Sequence, residues 1–523
     1  MLSTWTKVRA ALTAVAAIVV IAACGGGSDD SNPTVAYNGY LAKADCGPGD
    51  LVETGLQGQV PQSDRLSGRA DRGYNCNLSL VGHFASASFA NFDAYKNCVY
   101  YSDNKGGLGF VTGQGGPADG GGVVLDVSNP AKPVKTAYLT AWAMKNAGES
   151  LRVNHKRGLL VADYYNVGSL AVYDVSKDCT KPILLADIKT MPRGAVGHEG
   201  CFSPDGMLYL MGTGGATVSP IDLTDPANPV ELSTPWPYAT HGCSISADGT
   251  RAYLSGIDLS KFNPATGGAA NAQLRVVDIT AAKNRQLDTV GKVISMVEST
   301  DQPILQSSYP LTYAGKPYLF DWAEASGNIF QVDACARGLP ANFGAARILD
   351  ISDEKNPKEV SQLKLEVHDP KNCAVFKADR GIQTQGTAEG DTFWSGPAAT
   401  AFLYDNHYCR PDRLNDPTVM GCVSFGSGLR IWDIRDPKNP REIAYYNMGT
   451  VETDKGPVLD FAVSPPVFRR DLGQVWWVTL YGGFHSAKFR DGVWPMKDEV
   501  KCVDGYDYFA DQYDPTYCRS TWK

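Results

Sequence analysis

Seven histidines stand in this 523-residue chain, and imidazole is both the commonest transition-metal ligand and the side chain best suited to proton transfer near neutral pH. Two of them occupy matching settings, His198-Glu199-Gly200-Cys201 and Thr240-His241-Gly242-Cys243, each opening an apolar stretch that ends in an Asp-Gly turn. With His407 and His485 they form the candidate ligand set for one transition metal ion. Glu199, Asp321, Glu324 and Asp405 are the carboxylates that would orient a ligating ring or act as a base. The chain contains no HExxH, no tight His-x-His and no local two-histidine-plus-carboxylate spacing. Any metal site must therefore be assembled by the fold from distant segments. The competing structural reading is that a histidine just ahead of a buried strand bonds a neighbouring backbone and nothing else.

The elements that would position these side chains are marked by a phrase that returns six times: an apolar run, Asp, an apolar residue and a small or charged residue. Its aspartates are Asp126, Asp174, Asp222, Asp278, Asp350 and Asp433, spaced 48, 48, 56, 72 and 83 residues apart. Turns such as Asp225-Pro226-Ala227-Asn228-Pro229 and Asp436-Pro437-Lys438-Asn439-Pro440 follow, and Asp-Gly hairpin signals at Asp205-Gly206 and Asp248-Gly249 separate the strands. A period near 45 residues made of short strands and turns predicts an all-β radial repeat. The repeated aspartates are expected to cap the turns that follow them.

A seventh unit lacks the phrase but keeps strands at 458–463, 474–480 and 484–489, and is short of an outer strand. Residues 77–83 supply a leftover strand near the start. Pairing the two would close a seven-bladed β-propeller and leave no sheet edge exposed. An eight-bladed ring is the alternative, using an insertion in the sixth blade between about 379 and 421. On the seven-bladed parse, strand D–A connections carry His83, His198, His241 and His368. The ends of B–C connections carry His407 and His485, so six of the seven histidines fall on one face, with His155 on the other.

Residues 1–23 read as a signal segment: Lys7 and Arg9 precede an apolar stretch too short to span a bilayer. The small residues before Cys24 resemble a lipobox, which would make Cys24 the acylated mature N-terminus. Residues 24–70 are then a polar tether and N-terminal extension, 71–490 the propeller and 491–523 a C-terminal tail. Without Lys7 and Arg9, 46 basic residues face 56 acidic ones, and no basic stripe exists, which argues against a nucleic-acid partner. Twelve further cysteines in an exported chain imply disulfides, with Cys409–Cys422 and Cys502–Cys518 proposed from local spacing. The glycine runs at 106–109 and 120–122 lack a strand–loop–helix context for phosphate binding. Ser427, between two glycines, reads as a loop residue, and Val475-Trp476-Trp477-Val478 as blade packing. Trp236, Trp394 and Tyr408 would serve a ligand only if exposed.

The phrase Leu429-Arg430-Ile431-Trp432-Asp433-Ile434-Arg435-Asp436-Pro437, preceded by Asn406-His407-Tyr408-Cys409 and Gly421-Cys422, resembles bacterial LVIVD-repeat β-propeller lipoproteins over most of 77–490. The resemblance implies the fold but no activity, because propellers host enzymes, receptors and scaffolds alike. Three functions stay open. The first is a monomeric, membrane-anchored binding module whose loop face takes a protein or small-molecule ligand. The second is a metal-dependent extracytoplasmic enzyme, an oxidoreductase by fold-level analogy with the selenium-binding/methanethiol oxidase group. The third is a structural part of an outer-membrane assembly, if the source is Gram-negative.

Overall fold

The computed structural model describes residues 41–495, apart from 89–90, 104–119, 166, 259–270, 300–303, 325–344, 373, 376–378, 380–403, 405 and 454–455, together with 506–507 and 512–513. The chain is a seven-bladed β-propeller of antiparallel sheets. Each blade runs from an inner strand A to an outer strand D. The inner strands are Phe92–Tyr95, Arg152–Asn154, Glu199–Phe202, Gly242–Ile245, Ile304–Tyr313, Tyr408–Pro411 and Val467–Arg469. The repeated phrase forms strand C in blades 1 to 6, for example Leu170–Asp174 and Leu429–Asp433. These strands lie inside their sheets, so their Val, Ile, Leu and Trp side chains are almost fully buried. Each such side chain contributes about 1.5–3 kcal/mol by leaving water.

The aspartate that ends strand C has the same job six times. In blade 1 the Asp126 carboxylate accepts the amide of Ser128 at 2.8 Å, and Asp174, Asp222, Asp278, Asp350 and Asp433 each accept the amide two residues on. This short loop turns the chain sharply at the rim and gives the turn's N–H a partner, which is why a short acceptor side chain recurs there.

Ring closure uses residues 78–85. That strand pairs antiparallel with Gly483–Phe489 as the outer strand of blade 7, placing His83 opposite His485. Residues just before it do a second job, since Tyr74–Cys76 adds a fifth strand to the outside of blade 6. One short run of chain thus latches two neighbouring blades, and the Cys46–Cys76 disulfide ties the preceding extension to it. That extension also inserts Glu53 beside the fully buried Arg430, which Glu442 meets at 3.1 Å from the other side.

Two details differ from the sequence reading. Blade 7 takes Val467–Arg469 as its inner strand, and Val458 belongs instead to a hairpin of Thr450–Thr453 with Gly456–Leu459. Residues 461–464 still bond strand B at Leu480 and Val478, but Pro465 and Pro466, lacking amide hydrogens, interrupt the ladder between the two pieces. In blade 6, Tyr408–Pro411 is already the inner strand, so the extra chain precedes that strand instead of separating it from its neighbour. His407 consequently stands at the end of a D–A connection, not at a B–C one.

Disulfides join Cys46–Cys76, Cys98–Cys179, Cys201–Cys243 and Cys409–Cys422, the chemistry expected of an oxidising compartment. Cys502 and Cys518 lie outside the described residues. Among the described residues no helix is long and apolar enough to cross a membrane.

Candidate metal centre

Three blades deliver a histidine to the channel mouth by the same device. Each of His198, His241 and His407 is the residue just ahead of its inner strand. The His241 amide bonds the Ser255 carbonyl at 2.6 Å and the His407 amide bonds Val423 at 2.8 Å, extending the strand A–B ladder by one step. The ladder fixes the backbone at these positions, so little freedom is left to lose on ligand binding. Two glycines make room for the rings. At Gly214, with φ +74°, a Cβ would lie 2.5 Å from His198 Nδ1, and at Gly242 one would lie 2.5 Å from Glu199 Oε2.

The rings converge on two carboxylates. Nε2 of His198 lies 2.9 Å from Nε2 of His241 and 3.1 Å from Glu149 Oε2. His241 Nε2 is 3.2 Å from Glu324 Oε2 and 3.7 Å from Glu149 Oε2. His407 Nε2 faces the other Glu149 oxygen, Oε1, at 3.3 Å, and Glu324 Oε1 at 3.9 Å. Glu324 ends strand B of blade 5, and Gln306 from the inner strand of that blade donates to Glu149 Oε2 at 3.0 Å. Glu149 itself sits on a turn pinned by Ser150, whose hydroxyl oxygen accepts the Asp163 amide at 2.8 Å. All five residues are buried, and Glu324 is the most exposed of them at 8 %.

The outer nitrogen decides which tautomer the His407 ring adopts. His407 Nδ1 lies 2.6 Å from the Val463 carbonyl and must donate its hydrogen there, leaving Nε2 to carry the lone pair in the neutral ring. His241 Nδ1 points at Glu199 Oε2 at 3.7 Å, and Glu199 is held by Arg152 at 2.7 Å and by the Tyr408 hydroxyl at 3.3 Å. A carboxylate or carbonyl behind an imidazole is the usual support of a metal-ligating histidine. The His407 lone pair so directed meets a Glu149 oxygen at 3.3 Å. That arrangement is repulsive unless protons or a cation lie between them.

Protonation in the metal-free protein follows the same logic. Burial alone would raise Glu149, but the facing imidazoles of His198, His407 and His241 hold it well below the usual carboxylate range. Burial and then the neighbouring Glu149 charge push Glu324 up to about 7. His241 is raised to about 9: burial opposes its charge, and Glu199, Glu324 and Glu149 overcome that. His198 is lowered by burial and by the adjacent His241. The cluster thus stores protons that a metal ion would displace.

Donor geometry fits a first-row transition ion. With metal–nitrogen bonds of about 2.0–2.1 Å, adjacent ligands stand roughly 2.9 Å apart in an octahedron and roughly 3.3 Å apart in a tetrahedron. Within the group Glu149, His198 and His241 the separations are 2.9, 3.1 and 3.7 Å, so two of the three fall in that span. Nitrogen and oxygen donors without thiolate suit zinc, copper, iron, manganese, cobalt or nickel.

Of the four histidines singled out from sequence, His198, His241 and His407 meet and His485 does not. The His485 ring is stacked between His83 (4.6 Å) and Trp477 (5.4 Å), with Nε2 at 3.0 Å from the Thr479 hydroxyl. It lies on blade 7's third strand, so its side chain belongs to blade packing, while the three converging rings all precede inner strands. Among the carboxylates, Glu324 enters the cluster and Glu199 supports it. Asp321 is committed to Arg347 at 2.7 and 2.9 Å, and Asp405 lies outside the described residues. His368 is buried against the Tyr404 carbonyl and lowered to about 4, chiefly by burial. Tyr408 is buried in the support of Glu199, Trp236 is buried with its N–H on Ser233 and Thr289, and the Ser427 hydroxyl bonds Gly58, so none of the three faces solvent. Trp394 lies outside the described residues. Glu149 was not foreseen, nor was Tyr165, whose ring lies 4.3 Å from His198 and whose phenol is held protonated by burial and by Glu149 and Glu324.

Below the cluster, inner-strand residues of blades 1, 2, 3 and 6 close the waist of the channel. Arg152 spans Asn91 and Glu199, and Arg410 meets Asp93 at 3.0 Å. Beyond them a cavity of about 740 Å³ opens towards the A–B turns, lined by Arg152, Lys156, Tyr309 and Arg410 and by the Cys201–Cys243 disulfide.

No family model and no curated protein matches the chain. Among solved structures, a chain of Kuenenia stuttgartiensis hydrazine synthase is similar at 11 % identity and a TM-score of 0.47, over 79 % of this chain and 98 % of that one. A likeness at that level carries no argument about chemistry. Fold and site together define the class: a disulfide-bonded seven-bladed propeller with a histidine–carboxylate cluster at the mouth of its channel.

Proposed function

We propose that this protein is an exported, lipid-anchored metalloprotein that binds a first-row transition metal at the channel mouth and acts there on a small molecule. The observation that supports it is the convergence of three Nε2 atoms from three blades on Glu149 and Glu324. The outer nitrogen of His407 is turned to the Val463 carbonyl and that of His241 faces Glu199, and a buried group of this kind is stable only with its charges and lone pairs matched. The bound ion would supply Lewis-acid or redox chemistry. The chain's own part is to fix the rings through Val463 and Glu199, to exclude bulk water by burial, and to present the Tyr165 phenol beside the site. Export through a signal segment and acylation at Cys24 complete the reading, in line with the resemblance to LVIVD-repeat lipoproteins.

The test is metal quantification on mature protein purified from its native compartment, alongside His198→Ala and His241→Ala. Stoichiometric metal in the wild type and its loss in both variants is the expected result. A metal-free wild type whose melting temperature ignores both chelator and added metal would end the proposal. Fractionation of Cys24→Ser, expected to move the protein out of the membrane pellet, tests the anchor separately.

A second reading is that of a binding module using the same face without metal. It is favoured by the low exposure of the cluster, since Glu149 is 3 % and His407 1 % exposed. Titrating ligand affinity with chelator present separates the two.

A further inference from the structure

We infer that the channel mouth is built for two metal ions bridged by Glu149, not for one. This rests on the reading of the cluster as a metal centre and deepens it. The side chains fall into two overlapping triads, Glu149–His198–His241 and Glu149–Glu324–His407, the ligand atoms within each lying within 4.8 Å of one another. Glu149 belongs to both and divides its oxygens between them: Oε2 faces His198 and His241 at 3.1 and 3.7 Å, whereas Oε1 faces His407 at 3.3 Å. Glu324 repeats the division, with Oε2 at 3.2 Å from His241 and Oε1 at 3.9 Å from His407.

A single ion cannot use this arrangement fully. Placed at bonding distance, about 2.0–2.1 Å, from His198, His241 and Glu149 Oε2, it satisfies one triad and leaves His407 opposite the far oxygen. A carboxylate bonding one ion through each oxygen holds the pair at about 3.5–4 Å, the spacing of two-metal centres. Here two carboxylates are aligned to do so, and both present their oxygens in the same order, Oε2 towards His241 and Oε1 towards His407. The support of each half is separate. Glu199 and Arg152 brace His241 from blades 3 and 2, while the Val463 carbonyl braces His407 from blade 7. The ligand class at the second position is a divalent first-row ion with oxygen-rich coordination, the kind of site that manganese, iron or zinc occupies.

The experiment is titration of metal-stripped full-length mature protein with Mn²⁺ and, separately, Zn²⁺, reading bound metal per chain by elemental analysis and the Mn²⁺ form by electron paramagnetic resonance. Two ions per chain and a spin-coupled Mn²⁺ pair are expected. His407→Ala is expected to bind one ion and lose the coupling, and His407→Gln guards against a folding defect in the alanine variant. Saturation at one ion in the wild type, or two ions still bound in both His407 variants, overturns the bridged pair. No binding at all overturns the metal centre itself, a distinct outcome.

Discussion

Two groups of histidines lie on the same side of this propeller, and they do opposite things. In blade 7, His83 and His485 stack face to face at 4.6 Å with Trp477 behind, and among the described residues no carboxylate bonds either ring directly, the buried Asp460 reaching His485 only through the Thr479 hydroxyl. Burial and the neighbouring ring push His485 well below its usual range, so both nitrogens serve a neutral, packed side chain. At the channel mouth, His198, His241 and His407 meet two buried carboxylates, and His241 is raised to about 9. Imidazole as such therefore does not mark a site here. Buried acids facing the rings do, because they convert a hydrophobic packing problem into one that a cation solves.

The comparison can be broken most forcefully at Glu149. Glu149→Ala removes the one residue shared by both triads, and metal affinity should fall by more than about 100-fold, beyond what loss of an outer supporting group produces. Competition with a chromophoric chelator measures this. Glu199→Gln leaves every ligand in place but weakens the support of His241. Affinity should fall by about 10–100-fold, with the far-ultraviolet spectrum unchanged.

A third expectation concerns pH and the metal-free protein. The His241 value of about 9 lies above its ordinary 6.5, so its stabilisation is complete below 6.5 and is lost as pH rises through 9. Glu324 at about 7 lies above its ordinary 4.5, so its contribution is complete below 4.5 and is lost as pH rises through 7. Glu149, held below 4.5, contributes at all pH values above that and offsets nothing in this window. The melting temperature of stripped protein should decline from pH 6 to 9.5, and added metal should flatten the decline. A flat profile without metal would remove the electrostatic half of the comparison. The smallest effect belongs to His485→Phe, which keeps a ring between His83 and Trp477. Metal content should be unchanged and stability altered by only about 1 kcal/mol, as read by denaturant unfolding.

Much of the scaffold was legible in the residues. The six aspartates mark the ends of six third strands, and the strand left over at 78–85 finds the sheet that lacked one. Both are local pattern plus the need to bury an edge. The site was less legible, and the reasons are particular. Glu149 stands nine residues before the turn glycine Gly158, while His198 and His241 stand eight before Gly206 and Gly249. The matching position was thus readable, but the turn glycine of blade 2 stands one place later in a hairpin of the same length, and the residue there is a carboxylate instead of a histidine. His407 was set at the wrong connection because the extra chain before blade 6 hid which strand was innermost. His485 was grouped with the others because linear sequence does not reveal whether a side chain points into the channel or into its own blade.

By itself, then, the sequence determined the repeat, its turn chemistry and the oxidising setting its cysteines call for. All of these follow from interactions between residues near in the chain or from composition. Only the closed ring decided that Glu149 and His407, 258 residues apart, would lie at 3.3 Å. Each blade can present one side chain at the head of its inner strand, but a single blade cannot hold a metal. Closure places those heads around one small opening, and that circular constraint has no counterpart in any local stretch of sequence.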